Sequence, residues 1–167
     1  MAIIKSFGGY TPIVGDNCFI AENATIIGDV TIGDNCSIWY GSVLRGDAGA
    51  IVIGNNTNVQ DCAVIHSSEG VSTTNIGNNV TIGHNAIVHG ATVGDNVLIG
   101  MGATVLDNAV IEQGTIVAAN ALVLSGRTLE TGFIYAGVPA VKVKELKNTD
   151  MIEQSARNYT ILKDKYL

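Results

Sequence analysis

A six-residue aliphatic period constrains this chain more than any other feature. Val14, Ile20, Ile26, Ile32, Ile38 and Leu44 lie six apart; three extra residues precede Ile53, Val59 and Ile65, and five extra precede Ile76, Ile82 and Val88. One residue is then dropped, and Val93, Ile99, Val105, Ile111, Val117 and Val123 complete eighteen hexads. Copies such as VGDNCF, IGDNCS and IGNNVT follow the aliphatic residue with Gly, Asp and Asn, which accept the positive φ that sharp corners need. Repetition at a fixed short interval marks a solenoid, in which each rung hydrogen-bonds its neighbours around a column of Val and Ile.

Composition narrows the classes of function. At 167 residues the chain is long enough for one domain with a real core. Its 15 acidic and 9 basic residues, a formal net charge of −6, argue against nucleic acid as a partner. Although 47% of residues are hydrophobic, no apolar run reaches ~18 residues, so no membrane span is expected. The N-terminus lacks the pattern of a signal peptide. Cys18, Cys36 and Cys62 lack CxxC spacing, and a reducing cytoplasm is the expected compartment.

The hexads resemble the hexapeptide-repeat family. That resemblance implies an all-β solenoid, a left-handed parallel β-helix with three hexads per coil and about six coils, running from about residue 11 to 127. Cys18 and Cys36, one coil apart, would stack as buried thiols. The segment GFIYAGVPAVKVKEL carries a Gly-Val-Pro-Ala exit. Beyond it, Ile152, Ala156, Tyr159, Leu162 and Tyr166 share one helical face. A C-terminal α-helix over 150–166, begun by Asp150 and Glu153, is expected to pack alongside the prism. Residues 1–140 read as the β-helix domain and 141–167 as a helical extension.

Counted in hexads, His66 and His89 each follow an inward aliphatic residue and lie one coil apart. Arg45 stands in the same phase three hexads earlier, so the three form a row with ~4.8 Å between rungs. His84 lies two places after Ile82, near another corner, above Asp61 and beside Gln60 in phase. Extended chain puts the His84 and His89 backbones ~16 Å apart, whereas zinc holds imidazole nitrogens at ~2.0–2.1 Å. One prism does not bring both to one ion. A neighbouring copy offering its His84 corner to the His66/His89 row does, and three-sided prisms pack about a three-fold axis.

The stretches GSVLRGDAGAIVIGNNTNVQDCAVIH, IGNNVTIGHNAIVHG and VLIGMGATVLDNAVI are similar to the γ-class carbonic anhydrase-like family. This implies a homotrimer with His66 and His89 of one subunit and His84 of the next as metal ligands, for Zn²⁺ or else Fe²⁺ or Co²⁺. A metal-acidified water would hydrate CO₂ to bicarbonate. The resemblance implies catalytic places for Gln60, at the metal-bound solvent or substrate, for Asp61 beside it and within reach of Arg45, for Arg45 itself and for Tyr159 near the site; Arg45 and Asp47 would also pair across subunits. It departs at Ala48, where active members carry a shuttle glutamate; the short segment after His66 holds only Glu69 as an acid. Slow turnover is the expected consequence. Two alternatives remain open: a hexapeptide-repeat acyltransferase using acetyl-CoA, and a non-catalytic metal-binding trimer.

Overall fold

Two-residue strands joined by four-residue corners dominate the chain, as a period of six requires. In the computed structural model, which describes residues 2–167, they stack in parallel as a β-solenoid of about seven turns with one C-terminal helix, Asp150–Lys163. On the first face Ile26, Leu44, Ile65, Val88, Val105 and Val123 lie in direct register. The second face stacks Val14, Ile32, Ile53, Ile76, Val93, Ile111 and Leu129. The third stacks Ile20, Ile38, Val59, Ile82, Ile99, Val117 and Tyr135. The central members of all three columns are buried, each contributing ~1.5–3 kcal/mol by leaving water.

The stack runs two hexads further than the aliphatic count suggests. Leu129 and Tyr135 keep the interval of six beyond Val123 and take inward places. The tyrosine breaks the aliphatic pattern but is 4% exposed, and its hydroxyl accepts the Glu130 N–H at 2.9 Å. Strand Val141–Glu145 then folds back antiparallel on Phe133–Ala136, covering an edge that would otherwise offer unpaired backbone groups. Residue 140 is the last residue of the turn joining these two strands.

Corners divide into two kinds. Between the second and third faces Asn17, Asn35, Asn56, Asn79 and Asn96 recur with φ between 53° and 56°. Just before them, the side chains of Asp34, Asn55, Asn78 and Asp95 accept backbone N–H groups from the preceding coil at 2.7–2.8 Å. The corner between the first and second faces is irregular instead. All three interruptions of the hexad count fall there, between Leu44 and Ile53, Ile65 and Ile76, and Val88 and Val93.

The helix begins at Asp150 with Thr149 as its N-cap and ends at Lys163, short of residue 166. Ile152 and Ala156 are buried beneath it against the third face, and Tyr159 sets its ring edge-on to Trp39 at 5.4 Å. Cys36 is buried and Cys18 half-buried; their thiols donate to the carbonyls of Gly54 and Gly33 at 3.0 and 3.1 Å. No helix among the described residues is long and apolar enough to cross a membrane.

Candidate metal centre

The irregular corner gathers the first group of polar side chains. His66 and His89 are direct partners on adjacent strands, and His66 Nδ1 lies 3.1 Å from His89 Nε2. Each ring is held from its other nitrogen by a carboxylate. Asp47, delivered by the three-residue excess, places Oδ1 3.0 Å from His66 Nε2. Asp107, from the next coil, places Oδ1 3.1 Å from His89 Nδ1.

These contacts assign the hydrogens. An ionised carboxylate only accepts, so His66 Nε2 and His89 Nδ1 are the N–H groups. When both rings are neutral, the two remaining nitrogens are lone pairs aimed at each other across 3.1 Å. Such an arrangement is repulsive unless a cation stands between them, whether a proton or a metal ion. Two nitrogens bound tetrahedrally at ~2.0–2.1 Å to one zinc would be ~3.3 Å apart, so the donor set fits a metal with little adjustment.

Arg45 keeps the phase expected for this row, but its side chain turns to Asp47. Strand pairing on that side ends at Leu44 opposite Ile65, because the chain then widens into the excess residues. Arg45 Nη1 instead reaches both Asp47 oxygens, at 2.8 and 2.6 Å. The result is a chain of contacts from Arg45 through Asp47, His66 and His89 to Asp107. Burial opposes the charge on Asp47, but donation from Arg45 and His66 outweighs it and holds the carboxyl below its usual range. For Asp107 the hydrogen bond from Ser72 is the largest influence, and with His89 and Ser68 it overcomes burial in the same direction.

A second group occupies the corner between the third and first faces. The Asn85 N–H donates to the Asp61 carbonyl at 2.9 Å, which seats His84 above Asp61 as its phase predicts. His84 Nδ1 lies 2.8 Å from Asp61 Oδ2. The His84 backbone N–H donates to Gln60 Oε1 at 3.2 Å, and Gln60 Nε2 donates to Asn58 Oδ1 at 3.1 Å. Tyr159 brings its hydroxyl to 3.4 Å from His84 Nε2. Burial, then the charge of Asp61, raises that phenol above its ordinary value, so at neutral pH it is a donor to the ring's free lone pair. Within one chain Asp61 meets His84, not Arg45.

His84 and His89 thus lie at different corners of one coil. Among the described residues no three or more His, Cys, Asp or Glu side chains converge as a metal-binding group. Beside His84 runs an apolar groove of about 420 Å³, lined by Leu98, Met101, Ile116 and Met151 among others. Asp107, Ser68, Ser72 and Asn58 escaped the sequence reading. Asp107 had a signal, being an acid eighteen residues after His89; the others had none.

Known proteins agree with this architecture. The hexapeptide family described as "Bacterial transferase hexapeptide (six repeats)" matches residues 11–46, 73–106 and 90–125. The "Probable carbonic anhydrase" of Methanocaldococcus jannaschii is 47% identical over 91% of this chain and 96% of its own length. "Gamma carbonic anhydrase 1, mitochondrial" of Arabidopsis thaliana is 46% identical over 90% of this chain. The chain spans only 58% of that plant protein and 56% of a second one. A crystal structure of a hexapeptide transferase family protein from Anaplasma phagocytophilum superposes with a TM-score of 0.93 at 43% identity, covering 99% of this chain and 98% of that one.

Proposed function

The chain belongs to the γ carbonic anhydrase family of hexapeptide-repeat proteins, and from that premise we propose that it hydrates CO₂ to bicarbonate at a metal centre shared between copies in a homotrimer. The observation that carries this reading is the pair of lone pairs on His66 and His89, facing each other at 3.1 Å with a carboxylate behind each ring. His66 and His89 of one copy and His84 of its neighbour would hold the ion. Three imidazoles suit zinc and also ferrous iron or cobalt. When bound, such a metal supplies the acidity that turns water into a nucleophile near neutral pH.

The side chains have separable tasks. Asp47 fixes the His66 ring while Arg45 neutralises it from the far side. Asp61 takes the Nδ1–H of His84 and leaves Nε2 as the ligand nitrogen, which the Tyr159 hydroxyl satisfies within the single chain. Gln60, 5% exposed and tied to Asn58, presents an amide of fixed orientation to solvent or substrate at that corner. Arg45 and Asp47, on the outer surface of the row, are also the residues assigned to subunit contact. Ala48 offers no group to carry the proton away, so turnover is slow. Three free thiols accord with a reducing cytoplasm.

A second reading rests on the apolar groove beside His84. Its lining would accept the acyl or pantetheine part of acetyl-CoA, with His84 as general base for acyl transfer.

Stopped-flow CO₂ hydration separates these readings, on protein purified anaerobically and loaded with zinc or ferrous iron. Metal-dependent turnover, lost in His89→Ala, is expected. A trimer that binds one metal per interface and turns over no CO₂ with either ion defeats the anhydrase reading and leaves a structural metal. Micromolar CoA binding, with acyl transfer insensitive to chelators, would favour the acyltransferase.

A further inference from the structure

Asp107 lies outside every residue assigned above to metal, substrate or interface, yet it meets three different side chains in the corner. One oxygen meets His89 Nδ1 at 3.1 Å and also accepts the Ser72 hydroxyl; the other accepts the Ser68 hydroxyl at 3.2 Å. Both serines belong to the five-residue excess after His66, and that loop is closed on itself by the Ser68 N–H donating to Ser72 Oγ at 3.1 Å. The loop therefore has a polar purpose: its two hydroxyls donate to both oxygens of one carboxylate, one of which His89 shares.

Gly90 makes the arrangement sterically possible. It follows His89 with φ +60°, and a Cβ built there would overlap both Ser72 Oγ and Asp107 Oδ1. The glycine, the missing residue after Val88 and the inserted serines thus act together. They let a carboxylate from the coil above settle against the back of the His89 ring.

We infer that Asp107, seated by Ser68 and Ser72, is the positioning residue of His89, holding it as the Nδ1–H tautomer so that Nε2 is always the nitrogen turned toward His66. A carboxylate behind a ligating imidazole orients the ring and raises its basicity. The consequence for metal rests on the reading of His89 as a ligand; the consequence for the tautomer does not.

The test uses the full-length protein in two states. Imidazole ¹⁵N chemical shifts of the metal-free protein should show His89 as a single Nδ1–H tautomer, and Asp107→Ala should admit the Nε2–H form. Zinc affinity, measured by chelator competition, should then fall ~10–100-fold in Asp107→Ala, with less loss in Asp107→Asn, which keeps an acceptor without the charge. Gly90→Ala, which displaces the carboxylate without altering it, should reproduce the alanine phenotype. Thermal melts of each variant exclude simple unfolding. An unchanged His89 tautomer in both Asp107→Ala and Gly90→Ala overturns the inference, as does zinc affinity within twofold of wild type. If wild-type protein binds no zinc, the metal reading fails while the tautomer result still decides the role of Asp107.

Discussion

A histidine ring has two nitrogens, and here each ring spends one of them on a carboxylate. Asp47, Asp61 and Asp107 serve His66, His84 and His89 in turn, so the remaining nitrogen of each ring is determined by the chain itself. The neighbouring Ala48 position is where the proton leaving such a site would need a carrier. Ala48→Glu should therefore raise kcat by tenfold or more with little change in KM, since positioned acid–base groups contribute ~10²–10⁴-fold; unchanged turnover would mean that proton export is not limiting. Away from the site, the neighbouring Cys36 thiol lowers the Cys18 thiol to about 7. The same interaction, together with burial, pushes Cys36 up. Because an unfolded thiol titrates near ~8.5, Cys18 adds stability that is complete above that pH and lost as pH falls through about 7. Alkylation of Cys18 by iodoacetamide, followed by peptide mass spectrometry, should rise with a midpoint near that value. Cys36→Ala should move the midpoint upward; a midpoint indifferent to Cys36 would show that the two thiols do not influence each other in solution.

Corners carry most of the local specification among the elements. Asn79 holds φ 55° and accepts the Asn56 side-chain amide at 3.2 Å, one rung of a polar ladder along the prism. Asn79→Ala should cost about 1–2 kcal/mol in urea unfolding, because a Cβ without a compensating polar group is strained in that region, whereas Asn79→Gly should cost less. Equal losses in both would assign the effect to the ladder, not to the backbone. The opposite corner lacks such a ladder, and insertions and a deletion are tolerated there because the strands on either side keep their register. That tolerance is what admits the Asp47 loop and the serine loop beside the histidine row.

The whole molecule is a quasi-one-dimensional stack, so its stability is not uniform along the axis. In the first coil Ile3, Ile4, Phe7, Tyr10 and Ile13 are all more than half exposed, while Val59, Ile65, Ile82 and Val88 in the middle are fully buried. Amide hydrogen exchange should accordingly be fastest at residues 3–14 and slowest in the central coils. Protection that is equal throughout would require the first coil to be covered by another chain in solution. The same axial geometry divides the histidines between two corners, which is why the proposed three-histidine centre would need more than one copy.

The aliphatic period, its three interruptions and the phases of His66, His84, His89 and Asp61 could all be read from the chain, because a parallel stack converts residue counting directly into position. The inward column, the direct His66–His89 pairing and the His84–Asp61 contact follow from that arithmetic alone. The seventh turn was also countable, but Tyr135 disguised it by placing an aromatic ring where the pattern has aliphatics. What counting did not reach is where polar side chains turn once the register breaks. Arg45 grips Asp47, Ser68 and Ser72 close on Asp107, and Lys163 is buried at the end of the helix. Those outcomes depend on loop paths, rotamers and, for the serines and Asp107, packing between segments 35 to 39 residues apart, which no local period encodes. The sequence alone determined the scaffold and the rows of the candidate site; only the tertiary structure decided which carboxylate holds which ring, because that choice is made across coils by side chains leaving the lattice.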